Sequence, residues 1–166
     1  MDFVDPTSVW GREGVVRAES GLISSLALPK DAFTVLVEIG LPRKSDFFIA
    51  EQPKLVEMAF RPGRFCRVGT DEFNAVCVDT SNGEVLLLSG SGAQPDRFIN
   101  STLRDFVDFL GRVTLGRREF RGLTEREADA GVAALKRELL GRDPRAFADE
   151  ENWWSVIFEQ MEDRLL

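Results

Sequence analysis

The chain divides its secondary-structure signals into blocks, and this constrains its fold more than any other feature. Short β-prone runs crowd the middle, and amphipathic helical runs fill the remainder. Phe47-Phe48-Ile49 and Phe65-Cys66-Arg67-Val68 are short strand candidates. Phe73 to Asp79 and Glu84 to Leu88 flank Asp79-Thr80-Ser81-Asn82-Gly83, whose Asn-Gly pair is a strong hairpin signal. Leu86-Leu87-Leu88 is apolar on both faces of a strand, which places it mid-sheet with one face under helices and the other partly covered. The Ser89-Gly90-Ser91-Gly92 loop leads to a further short strand at Phe98-Ile99. Strands grouped in this way, with helices before and after, predict an α+β fold and not alternating βαβ units.

The helical segments are marked by their caps and stripes. Ahead of the strands, Gly14 to Ala18 reads as a short edge strand and Leu22 to Leu26 as a helical turn. Pro29-Lys30-Asp31 opens a helix capped by Asp31, with Phe33, Leu36, Val37 and Gly40 on one stripe, and Gly40-Leu41-Pro42 stops it. After the strands, Asn100 or Ser101 caps a helix with the stripe Leu103, Phe106, Val107, Leu110 and Val113. Thr124 and Glu127 form a capping box for the next, which carries Ala128, Val132, Leu135 and Leu139 and closes at Gly141. Asp143-Pro144 turns the chain into a last helix from about Asp149, with Trp153, Trp154, Ile157, Met161 and Leu165 on its inner side. No repeat, low-complexity tract or linker divides the 166 residues, so 1–166 reads as a single domain: a central, mostly antiparallel sheet with helices packed on one face.

Composition narrows the function classes. The chain has no histidine and no tyrosine. That excludes a Ser-His-Asp triad, a Cys-His dyad and most zinc or non-haem iron sites. The net charge of −7, from 21 basic and 28 acidic residues, argues against direct binding to nucleic-acid phosphates and suits a basic protein partner. The charge is uneven. From Asp143 to Leu166 there are seven acids (Asp143, Asp149, Glu150, Glu151, Glu159, Glu162, Asp163) against Arg145 and Arg164. No apolar run is long enough to span a bilayer, and the acidic start Met1-Asp2-Phe3-Val4-Asp5 lacks the basic and apolar regions of a secretory signal, so a cytoplasmic chain is expected. Cys66 and Cys77 fit that compartment as two buried thiols, although a cross-strand disulfide stays open.

The motifs that hint at chemistry have structural explanations. Gly90-Ser91-Gly92 continues into Ala93-Gln94-Pro95, without the Gly-Lys-Ser/Thr of a phosphate loop or the third glycine of a dinucleotide fingerprint. The adjacent carboxylates Asp71-Glu72 and Glu150-Glu151 cannot face each other across a substrate as acid–base pairs do, and read as caps or solvated acids. Lys30, Lys44, Lys54 and Lys136 sit in polar surroundings. No catalytic, cofactor-binding or metal-binding residue is assigned. Trp153-Trp154 is more informative, since an exposed member of the pair beside carboxylates would make a binding hot spot. The expected partner contacts are Asp79 and Glu84 of the hairpin together with Glu150, Glu151, Trp154, Glu159 and Glu162 of the terminal segment.

The order of these features resembles one known family. Gly40-Leu41-Pro42 ends a short helix, and Arg67-Val68-Gly69-Thr70-Asp71 precedes the hairpin Val78-Asp79-Thr80…Gly83-Glu84-Val85. Phe98-Ile99-Asn100-Ser101-Thr102-Leu103-Arg104-Asp105-Phe106 opens a helix, and Asp143-Pro144 leads to Trp153-Trp154. From about Val15 to the C-terminus, this order is similar to the SUKH superfamily, in particular its fourth subgroup of immunity proteins from bacterial polymorphic toxin systems. The resemblance implies a SUKH-like α+β fold and a non-catalytic protein, without cofactor, that binds and neutralises a cognate toxin domain such as a nuclease or nucleic-acid deaminase. A scaffold or regulatory module of the same fold is the alternative, followed by a carboxylate-based enzyme with a pocket of raised-pKa carboxylates.

Overall fold

The computed structural model describes residues 2–166. It is α+β, with one five-stranded antiparallel meander, whose strands neighbour one another in chain order, and a separate two-stranded sheet. The first part of the chain holds α1 (Pro6–Trp10), β1 (Val15–Val16) and α2 (Ser20–Ile23), then α3 (Lys30–Thr34), which widens into a π-turn over Val35–Ile39. Asp31 lies inside the first turn of α3, and Pro29 occupies the cap position, so Asp31 does not cap the helix as expected. Of the expected stripe, Leu36 and Gly40 are buried and Phe33 and Val37 pack half-buried against the core, while Ala32 and Val35 add to the buried face. Gly40, at φ 91, does stop the helix, and a Cβ there would fall 2.5 Å from Val15 Cγ1. Leu41 and Pro42 then form β2, paired with β1.

The meander consists of β3 (Ile49–Met58), β4 (Arg61–Asp71), β5 (Asn74–Asp79), β6 (Val85–Leu88) and β7 (Arg97–Asn100). β3 is longer and later than the expected Phe47–Ile49 strand. Phe47 and Phe48 precede it, and Phe48 is buried edge-on against Phe106 at 5.2 Å. Its edge position explains the weak signal, since Pro53, Glu51, Lys54 and Glu57 are the kind of residues that protect a sheet edge from further pairing. Alternation along β5 and β6 is strict. Val76, Val78, Val85 and Leu87 join the main core, while Ala75, Cys77, Leu86 and Leu88 face the other way with Phe65. That second face is covered by Val56, Met58 and Phe98, and the β3–β4 tip reaches over it, where Arg61 pairs with Asp96 at 3.3 Å. Bulges at Val56/Met58 and Arg67/Gly69 supply the bend.

The register also settles the cysteines. Cys66 lies opposite Val78 and Cys77 opposite Arg67, so the two thiols point to opposite faces and are free. Burial pushes the Cys66 thiol up to about 11 and the Cys77 thiol up to about 12.

The helices α4 (Leu103–Phe120), α5 (Glu125–Arg142) and α6 (Trp153–Glu162) complete the main core, and Pro144–Phe147 forms a 3₁₀ turn between the last two. All five expected stripe residues of α4 are buried. Its cap, however, is Thr102, whose hydroxyl accepts from the Asp105 amide at 3.0 Å and donates to the Asp105 carboxylate at 2.7 Å. Burial raises the pKa of Asp105, and the Thr102 bond opposes the rise. The Thr124–Glu127 capping box forms as expected, and α5 runs past Gly141 to Arg142. The N-terminal segment is tied down by buried Asp108, which accepts from the Val4 amide at 2.8 Å and pairs with Arg112 at 2.9 Å and Arg142 at 3.1 Å. No helix among the described residues is long and apolar enough to cross a membrane.

Candidate functional site

The terminal helix is placed by a buried polar node. Asn100, at the end of β7, is released from its expected capping role because Thr102 fills it. Its amide nitrogen donates to Asp143 at 3.0 Å, and its amide oxygen accepts from the Trp154 indole at 2.8 Å. Asp143 also accepts from the Ser101 amide and the Ser101 hydroxyl, each at 2.8 Å. One carboxylate thus joins the ends of β7, α5 and α6. Asn152, not Asp149, occupies the cap position of α6. Asp149 instead closes the preceding turn, accepting from the Glu151 amide at 2.8 Å.

Trp153, Trp154, Ile157, Phe158 and Met161 form the inner face of α6. Trp154 is fully buried against Phe109 and Trp153, so its ring offers no surface to a partner, which corrects its place among the expected contacts. Leu165 is 72% exposed because the helix ends at Glu162, before the next inward position. The acids lie outside that inner face, Glu159 and Glu162 on α6 and Glu150 and Glu151 in the turn before its cap. Glu150, Glu151, Glu159 and Glu162 are exposed and line one open groove together with Arg97, Lys136 and Ser155. Arg97 pairs with Glu151 at 3.0 Å and Lys136 with Glu162 at 2.9 Å. Glu150 and Glu159 have no ion-pair partner among the described residues, which leaves the groove with a surplus of negative charge.

Asp79 and Glu84 lie outside this groove. Both are half-buried. Asp79 accepts from the Ser81 amide at 2.9 Å and hydroxyl at 2.6 Å, which shapes the hairpin, and Gly83 at φ 82 supplies its left-handed position. Glu84 pairs with Arg145 at 2.7 Å, linking the hairpin to the turn before α6. The structure therefore brings together four of the seven expected contacts and separates the other three.

A second groove adjoins the first and shares Arg97 and Val156 with it. It is lined by Asp46, Asp71, Glu72, Phe73 and Trp153 among others. The Trp153 indole donates to Asp71 at 2.9 Å. Burial raises the pKa of Asp71, and this indole and the Asn74 amide oppose the rise. Sequence reasoning placed Phe73 at the start of a strand, whereas it lies in the β4–β5 turn. The available signal was Asp71 and Asn74, both turn formers, bracketing two residues. The two carboxyls raised by burial, Asp71 and Asp105, sit in different places, and each has a structural partner. Among the described residues no three His, Cys, Asp or Glu side chains are grouped to hold a metal ion.

A family model described as SUKH-4 immunity protein matches residues 7–160. No curated protein and no solved structure matches the chain.

Proposed function

We propose that this chain, which belongs to the SUKH-4 immunity protein family, binds a cognate bacterial toxin domain and neutralises it by occlusion, without catalysing a reaction. The observation that carries the reading is the gathering of Glu150 and Glu151, from the turn before α6, with Glu159 and Glu162 of α6 in one open groove. A toxin acting on nucleic acid needs a basic groove for phosphates. A cluster of carboxylates fixed on a helix and on the turn before it can occupy such a groove by imitating phosphate charge, and opposite fields speed the encounter. Helical geometry supports this arrangement, because Glu159 and Glu162 are three residues apart and project on the same side. Glu150, Glu151, Glu159 and Glu162 are the contacts. Asp79, Glu84 and Trp154 maintain the fold that presents them.

Co-expression provides the test. Cells making the toxin domain encoded beside this chain's gene survive when the chain is present, and the two proteins co-elute from a sizing column. Death of the cells in the presence of folded chain, with no co-elution, refutes the reading.

A further inference from the structure

The β4–β5 turn breaks the rules of its own geometry. Asp71 pairs with Asn74, leaving Glu72 and Phe73 as a two-residue loop. Such loops need a left-handed residue and favour Asn or Gly there. The chain meets that demand with Asn82-Gly83 in the neighbouring hairpin. Here it places Glu72 at φ 46, and beside it Phe73 with 91% of its surface exposed. Two local preferences, turn chemistry and apolar burial, are thus violated at adjacent positions. Violations of this kind concentrate where a chain does something other than fold.

The loop is braced from below. The Trp153 indole holds Asp71 at 2.9 Å, and the Thr70 hydroxyl donates to the Asn74 carbonyl at 2.9 Å. Phe73 is therefore presented on a fixed base, and little backbone freedom remains to be lost when it is covered. Its surroundings are those of an interface centre. The groove beneath it is lined by half-buried Phe47 and Val156 and by Leu166, and it runs into the acidic groove of α6 through Arg97. Seven carboxylates line the two grooves against Arg97 and Lys136 as the only cations. An exposed aromatic residue beside half-buried apolar side chains, with a predominantly acidic rim, is an arrangement in which hot spots occur.

We propose that Phe73 is the apolar anchor of the partner interface, its ring entering an apolar pocket on the toxin domain whose basic rim meets the carboxylates along α6. The anchor rests on the toxin-binding reading above and adds to it a specific point of attachment. The rim sets encounter rate and salt dependence, whereas the anchor sets residence time and is insensitive to salt.

The test is calorimetric titration of the neighbouring-gene toxin domain, carrying an inactivating substitution, at low and at high salt. Wild type, Phe73→Ala, Phe73→Ser, Glu159→Lys and Phe60→Ala are compared, each checked by thermal melting. Phe60 is the control, since it is also exposed, at 74%, but lies at the other end of β4. Phe73→Ala and Phe73→Ser should each weaken binding by about thirtyfold or more at both salt concentrations, the size expected of a hot spot. Glu159→Lys should weaken it mainly at low salt, and Phe60→Ala should leave it unchanged. Wild-type affinity in folded Phe73→Ala and Phe73→Ser overturns the anchor and leaves the toxin reading standing. Absence of any complex with wild type overturns the toxin reading and the anchor with it.

Discussion

Replacing Asp143 by alanine should destabilise the protein more than any single change on its surface. Asp143 is 3% exposed and Asn100 is fully buried. The substitution removes the acceptor for the Asn100 amide, the Ser101 amide and the Ser101 hydroxyl. Ser101 is only half-buried, so water can replace part of what it loses. Asn100 has no such access, and its amide must also stay in place to accept from Trp154. A hydrogen bond to a charged group is worth about 1.5–3 kcal/mol, and an orphaned buried donor costs about 1–3 kcal/mol. With partial rehydration of Ser101, the sum is about 3–4 kcal/mol, a large part of the ~5–15 kcal/mol that stabilises a typical domain. Urea unfolding followed by tryptophan fluorescence reads this directly, because Trp154 is part of the node. At a slope of about 2 kcal/mol per molar urea, the midpoint should fall by about 1.5–2 M. A cycle with Asn100→Ala should show about 1–3 kcal/mol of coupling. A midpoint shift under about 0.5 M, or strictly additive effects of the two substitutions, would refute the account of how α6 is positioned.

Other predictions address the sheet and the turn. A thiol reagent at about pH 8 should label neither cysteine in the native protein and both after unfolding, since burial and raised pKa values keep both thiols unreactive. Fast labelling of either in the native state would contradict the placement. Gly69→Ala should cost about 3 kcal/mol in chemical denaturation, because the new Cβ would lie 2.4 Å from the Ile49 carbonyl oxygen and 2.3 Å from the Phe48 ring. Asp71 has a folded pKa raised above its ordinary 3.8, so its ionised form opposes folding as pH rises through and beyond that value. Asp71→Asn should therefore gain stability relative to wild type between acid and neutral pH, and a relative loss over that range would reverse the sign of the argument.

Much of the fold was legible because its signals were local. The α4 stripe, the Thr124–Glu127 box and the Asn82-Gly83 turn each specify their own conformation within a few residues, and each is present. Features set by distant partners were not legible. Nothing near Asn100 shows that Asp143 will claim its side chain, 43 positions away, so the capping role of Thr102 was missed. β3 was hidden because an edge strand is selected for charge and proline as much as for apolar alternation. The acids of the candidate site were visible as composition, while their convergence on one groove with Arg97 and Lys136 depends on how β7 and α5 pack beside α6. Trp154 lies on the inner side of α6 that its helical stripe indicates, and its complete burial there is what removes it from the expected contacts; Phe158 joins the same inner face.

The central claim, neutralisation by binding, is tested most directly by the stoichiometry of inhibition. The purified toxin domain is assayed at a concentration well above the dissociation constant while this chain is titrated in. Occlusion predicts that activity falls linearly to zero at one chain per toxin domain and that gel filtration returns an intact toxin in a one-to-one complex. Full inhibition at a small fraction of one equivalent, with a chemically altered toxin, would mean that the chain acts as a catalyst and would contradict the account.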